Sequence, residues 1–206
     1  MIPKIIWQTH NYKYNDLPEH IKQISRTWIN LNDGWEYKYM DHNERLDIIK
    51  EYPMLLKGYM YQRPTIQSDI WRFIITYKYG GVYADMDSIC TKPLDYMLSG
   101  IKNPSEMVVT EPLNTANYAI IKKSGIMKKI INDIISYEII DDKKKNWNTW
   151  GCFYDVVSVN QNVTQGFTAA THSAIYKSMF SPRYDIDYYG HSILYEDFCL
   201  DKGYII

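Results

Sequence analysis

Apolar and polar positions in this chain switch between two periods. Lys4 to Thr9 (KIIWQT) is a short apolar run behind Pro3 and predicts a buried first strand. From Leu17 to Leu31, Ile21, Ile24, Trp28 and Leu31 share one helical face, with Asp16 as the expected cap and Pro18 in the first turn. Trp35 to Met40 alternates as a second strand. Asp41 stands three residues before Glu44, a capping pair for a helix through Ile49. Pro53 and Gly58 punctuate a short helical piece. The clearest helix runs from Thr65 to Tyr79, with Ile66, Ile70, Phe73, Ile74 and Tyr77 as its stripe and Gly80-Gly81 as its stop. Val82 to Asp85 is a third strand, and Met107 to Thr110 and Tyr118 to Ile121 are further strands. Ser124 to Ile140 is a helix, and Asp141 to Asn148 (DDKKKNWN) reads as a charged connector. Thr168 to Met179 is expected as a helix and Tyr188 to Tyr195 as a strand. Strands alternating with helices predict an α/β domain with a mainly parallel central sheet.

Composition narrows the class. With 206 residues the chain is expected to be one domain. Lys plus Arg is 23 against 24 for Asp plus Glu, so the basic excess of a sequence-independent nucleic-acid binder is missing. Aromatic residues reach 15%, with 20 Tyr and 6 Trp. Such rings suit sugar and base faces; AT-rich coding produces the same surplus. Cys90, Cys152 and Cys199 form no CxxC pair, which points to a reducing compartment and no zinc site. No apolar leader or span of roughly 20 residues stands out.

The chemistry concentrates in Ser68-Asp69-Ile70-Trp71-Arg72 and, shortly after, Gly80-Gly81-Val82-Tyr83-Ala84-Asp85-Met86-Asp87. In an extended strand end, Asp85 and Asp87 point the same way. Two carboxylates so placed repel and raise each other's pKa, a cost that a divalent cation between them offsets. The carboxyl ends of strands are also where open α/β sheets bind ligands. An isolated DxD is more often a solvated turn, but the Gly pair and the preceding helix shift that balance. Asp69 and Arg72 lie three apart on one helical face. Arg suits paired phosphate oxygens and Asp suits sugar hydroxyls; the plain alternative is an intrahelical surface ion pair.

Over Ile2 to Asp95, the segments IPKIIWQT, LPEHIKQISRTWINLNDGWEYKYMD and QSDIWRFIITYKYGGVYADMDSICTKPLD resemble the DXD-containing glycosyltransferase family 32. That family includes yeast initiating α-1,6-mannosyltransferases, inositolphosphorylceramide mannosyltransferases and capsular-polysaccharide glycosyltransferases, and the clostridial glucosylating toxins are distantly similar. The resemblance implies a GT-A-type fold and metal-dependent, retaining transfer of a hexose from a UDP- or GDP-sugar to a glycan, lipid or protein acceptor. It implies Asp69, Arg72, Asp85 and Asp87 as the catalytic set. Donor contacts would come from Asp69, Arg72, Tyr83, Asp85, Trp7 and Gln8, with Trp7 stacking on the base or, equally, filling the core. Manganese or magnesium would be held by Asp85, Asp87 and, as nearest histidine, His191, with His172 as a second candidate.

The carboxyl half departs from the family pattern. Gly166 and Thr168 stand where relatives carry a Gly-Pro before a helix, and with Asn117 they are expected on the acceptor side. A soluble, cytoplasmic enzyme of bacterial or viral origin is the matching expectation. Two other classes compete. VYADMDSI also fits a magnesium-dependent aspartyl phosphatase, with Lys122 and Asp141-Asp142 forced into its remaining roles. A sugar-nucleotide-binding module without catalysis fits the aromatic surplus but not the intact Asp pair with Arg72.

Overall fold

The computed structural model describes residues 1–99, 105–110, 113–140, 148–167 and 169–170, without the side chains of 20, 137–140, 165–167 and 169–170. The chain divides into two compact units, Met1–Ala169 and Ala170–Ile206; the architecture that follows is that of the first. Its strands are β1 (Ile5–Thr9), β2 (Glu36–Met40), β3 (Gly81–Ala84), β4 (Ile89–Cys90), β5 (Met107–Thr110), β6 (Asn117–Ile120) and β7 (Val163–Phe167). Its helices are α1 (Glu19–Asn30), α2 (His42–Lys50), α3 (Pro53–Met60), α4 (Pro64–Tyr79), α5 (Leu94–Ser99), α6 (Gly125–Ile140) and α7 (Thr149–Val157).

Six strands form one sheet in the order β2-β1-β3-β6-β5-β7. The β1–β2, β1–β3 and β5–β7 pairs are parallel, as the alternation of strands and helices requires. Strand β6 runs against both of its neighbours, β3 and β5. The central strands are apolar on both faces because helices cover both. Trp7, Tyr83 and Tyr118 face the core shared with Ile70, Phe73 and Ile74 of α4 and with residues of α6 and α7. Ile6, Val82 and Ala84 face the opposite core, with Trp28 of α1 and Leu94 of α5.

Local rules account for most boundaries. Asp41 caps α2 through the backbone N–H groups of Asn43 and Glu44, and Glu44 returns a bond to the Asp41 N–H. The expected cap of α1 is different. Asp16 ends a short 3-10 turn, and α1 begins after Pro18 with no side-chain cap. Leu17 precedes a proline and is held extended, which leaves Asp16 upstream of the first helical turn. Gly58 is buried inside α3 and does not end it. Strand β4 and helices α5 and α7 carry short or broken patterns that the periodicity did not mark. Residues 141–147 of the charged connector, the expected helix beyond Thr168 and the expected strand at 188–195 lie outside the described residues; Asn148 caps α7. Cys90 and Cys152 are buried free thiols. Among the described residues no helix is long and apolar enough to cross a membrane.

The Gly pair joins α4 to β3. Gly80 has φ +69° and its N–H closes α4 on the Thr76 carbonyl. Gly81 has φ +106°, and a Cβ there would stand 2.5 Å from the Ile5 carbonyl oxygen. Gly34 also has positive φ, at +76°, but meets nothing within 4 Å. Gly81→Ala is therefore expected to destabilise the fold by about 3 kcal/mol or more, and Gly34→Ala by only about 1 kcal/mol, in urea unfolding.

Candidate active site

Strands β1 and β3 leave the sheet side by side, since Ile6 pairs with Val82 and Trp7 with Tyr83. Asp85 follows β3 directly. Its N–H donates to the Ala116 carbonyl at 2.8 Å. Its own carbonyl accepts the Gln8 amide at 3.0 Å and the Ser88 N–H at 3.0 Å. The Ser88 bond closes a turn with Met86 and Asp87 at its centre. The pair of aspartates therefore sits on a turn and not on an extended strand end. Met86 and Ser88 are buried while Asp85 and Asp87 stay half-buried, so the alternation survives for a different geometric reason.

Helix α4 supplies the cation. The Arg72 side chain is 7% exposed and its guanidinium reaches two carboxylates, Asp69 Oδ1 at 2.7 Å and Asp85 Oδ1 at 3.2 Å. It also donates to the Thr115 carbonyl at 2.7 Å and lies 4.5 Å from the centre of the Tyr83 ring. Among the described residues its Nε has no acceptor. Burial works against this cation, but Asp85, Tyr83 and Asp69 outweigh it and hold the charge more firmly than usual. The surface ion pair that spacing alone allowed is thus a buried one.

Asp85 experiences the opposite balance. Its pKa is raised to about 6: burial pushes it up most, Arg72 and the Tyr83 hydroxyl, which donates to Oδ1 at 2.6 Å, oppose that, and Asp87 and Asp69 add to it. With Oδ1 bound by Arg72 and Tyr83, Oδ2 has no partner among the described residues. Crowded carboxylates with an open oxygen are hard donors of the kind magnesium or manganese takes alongside ligand phosphates. Among the described residues no group of three His, Cys, Asp or Glu side chains gathers to hold a metal. Asp85 and Asp87 are the described residues whose chemistry fits such an ion.

Asp69 is held from a second side: the Thr149 hydroxyl at the start of α7 donates to Oδ2 at 2.6 Å. Nothing in the sequence marks Thr149, which lies 80 residues away. Arg45 is the other residue missed. It is fully buried on the face of α2 that also carries Ile49, and a lone cation sharing that face was the available sign. It donates to Ser68 Oγ and Asn11 Oδ1. His10 lies nearby; its Nδ1 accepts the Tyr12 N–H at 3.3 Å, and burial with Arg45's charge pushes its pKa down to about 4.

Several expected donor contacts lie elsewhere. Trp7 is 3% exposed and its indole donates to the Gly80 carbonyl at 2.8 Å, so it is a core residue with no free face for a base. Gln8 is buried, and its amide links the Asp85 carbonyl to the Tyr37 hydroxyl. Tyr83 is buried and acts through Asp85 and Arg72, not as a pocket wall. Asn117 is buried behind the aspartate turn, where it donates to Ser88 Oγ at 3.0 Å. Gly166 lies within β7, not in a turn before a helix. Thr168, His172 and His191 lie outside the described residues. Of the further residues the phosphatase reading needs, only Lys122 is among the described ones. Lys122 follows β6 beside Gly80, at the end of β3 opposite Asp85, and Asp141-Asp142 fall outside the described residues.

The buried charges generate two expectations. Arg72→Met leaves Asp69 and Asp85 uncompensated and is expected to cost about 3–5 kcal/mol in denaturant unfolding, part of it recovered by adding Asp69→Asn. His10 is neutral in the fold, whereas in the unfolded chain it takes up a proton near 6.5. Its contribution is therefore whole above pH 6.5 and lost as pH falls toward 4, by at most about 1.4 kcal/mol per pH unit. The stability difference between the wild type and His10→Gln should shrink over that window in pH-dependent melting.

A family model described as a glycosyltransferase sugar-binding region containing a DXD motif matches residues 18–105. Mannosyl phosphorylinositol ceramide synthase SUR1 of Saccharomyces cerevisiae is 36% identical over 119 residues, 57% of this chain and 30% of that protein. The CSH1 synthase of the same name and organism is 32% identical over 151 residues, 71% of this chain and 37% of that protein. The chain thus spans about a third of the length of these relatives. Among solved structures, the PaToxG glycosyltransferase superposes with a TM-score of 0.52 at 15% identity, covering 76% of this chain and 70% of that one. The fold is therefore the α/β, GT-A-type fold that the motifs implied. Both motif blocks, SDIWR and GGVYADMD, fall inside the matched region, so the similarity to the DXD-containing glycosyltransferase sugar-binding family rests on residues 18–105.

Proposed function

We propose that the chain is a metal-dependent retaining hexosyltransferase that takes its sugar from a UDP- or GDP-sugar. The acceptor is a glycan, lipid or protein. The observation that carries this reading is the Asp69–Arg72–Asp85 network, buried beside Asp87 at the exits of two parallel strands. An Asp pair with one open oxygen and a neighbouring guanidinium is what a sugar diphosphate needs. The names of the two yeast relatives make GDP-mannose the first donor to test.

Asp85 and Asp87 would hold manganese or magnesium, which when bound supplies positive charge to the departing diphosphate. Arg72 adds a fixed cation next to them, already oriented by two carboxylates and a carbonyl, so little reorganisation is left for the reaction itself. Asp69, pinned by Arg72 and Thr149, presents an acceptor for donor-sugar hydroxyls. In the retaining reading the acceptor hydroxyl attacks the anomeric carbon from the face that the diphosphate leaves, the new C–O bond forming as the old one breaks. The hydroxyl proton passes to a phosphate oxygen of the leaving group. The first 100 residues act as the donor half, and the remainder as the acceptor side.

Purified protein with manganese should release nucleoside diphosphate from at least one sugar nucleotide. Asp87→Asn should lower that rate by two orders of magnitude or more with the fold intact by circular dichroism. In a thermal-shift panel, a nucleotide at 100 times its Kd should add about 2.7 kcal/mol, and only with the metal present. If no sugar nucleotide binds or turns over, and Asp87→Asn changes nothing, this reading is wrong.

A further inference from the structure

Arg45 is a charge without a counter-charge. It is fully buried, yet among the described residues none of the ion pairs includes it. Its guanidinium donates only to neutral oxygens, Ser68 Oγ and Asn11 Oδ1, and its Nε finds no acceptor. Burial works against the cation, and the nearby Arg72 adds to that pressure, while Tyr59, Tyr83 and Tyr39 oppose it. A buried guanidinium lacking a carboxylate is an expensive way to fill space, and an apolar side chain of similar volume would serve packing better.

Its two bonds explain where that cost is useful. Ser68 immediately precedes Asp69 and stands one turn before Arg72 on α4. Asn11 lies just past the end of β1, whose exit adjoins that of β3 and the aspartate turn. Both residues are only partly buried, so each keeps a side toward solvent. Arg45, reaching from α2, therefore joins the first turns of α4 to the exit of β1, beside the Asp69–Arg72–Asp85 network.

We propose that Arg45 is a positioning residue of the donor site, holding Ser68 and Asn11 in register so that the walls around a nucleoside diphosphate are set before it binds. This rests on the nucleotide-sugar reading above. The uncompensated charge has a second consequence in the same direction: it leaves a surplus of positive potential behind a site whose ligand is an anion.

The test sets stability against affinity. Arg45→Met removes the cation and leaves no opposite charge stranded, so its Tm should equal or exceed that of the wild type. Its Kd for UDP or GDP with manganese, by calorimetry, should rise tenfold or more. Donor KM should rise in parallel, with kcat at saturating donor changed less than threefold. Arg45→Lys, a cation that cannot fork between two acceptors, should fall between. An arginine that merely packs gives the reverse pattern, a lower Tm with unchanged Kd, and that result overturns the proposal. If Arg45→Met does not fold, the Ser68→Ala/Asn11→Ala pair replaces it, and a Kd within threefold of wild type in that double variant also overturns it. If the wild-type protein itself binds no nucleotide, the donor reading falls and this inference falls with it. If the wild type binds and all the variants bind equally well, only the role of Arg45 is lost.

Discussion

The buried guanidinium of Arg72 is balanced by two carboxylates, Asp69 on its own helix and Asp85 at the exit of β3. Breaking that arrangement strands two carboxylates in a site of low polarity, so α4, β3 and the aspartate turn are bound to one another by electrostatic necessity as much as by packing. Tyr83 and Thr149 extend the constraint, each donating to one of the two carboxylates at 2.6 Å. The result is a rigid polar wall in which, among the described residues, Asp85 Oδ2 has no hydrogen-bond partner.

The sheet makes this wall accessible. Strands β1 and β3 run parallel, so their carboxyl ends emerge together, and the chain turns at Asp85 instead of continuing. The Gly80-Gly81 step is what lets α4 deliver its chain into β3 at that point, because the Ile5 backbone lies too close for any side chain at Gly81. Helix packing, a glycine step and a turn closed by Ser88 thus cooperate to aim three acids and an arginine at one place. The buried Asn117 and Trp28 brace the same turn from behind, by donating to the Ser88 hydroxyl and carbonyl.

A distinction runs through the site between groups that face a ligand and groups that hold those groups still. Trp7, Gln8, Tyr83 and Asn117 carry the chemistry of binding residues but are spent on the protein itself, each tied to a backbone or side-chain partner in the core. Arg45 belongs to the same supporting class, with the difference that its charge is left unbalanced. In the proposed nucleotide-sugar reading, an anionic donor has use for supports that are cationic as well as rigid.

Much of this was legible in the residues. The stripe of α4, the capping pair Asp41 and Glu44, the Gly-Gly stop and the spacing of Asp69, Arg72, Asp85 and Asp87 are local features, and local rules of helix periodicity and turn chemistry suffice to read them. Tertiary structure decided everything that depends on which side of the sheet a residue meets. Periodicity cannot tell a tryptophan that stacks on a ligand from one that fills a core, and Trp7 became the second because β3 and α4 close over it. Nor can spacing join Thr149 to Asp69 or Arg45 to Ser68 and Asn11, because those bonds connect elements far apart in the chain. Local sequence sets which side chains are available and how they repeat; only the folded packing sets which polar atoms are stripped of water and must find each other.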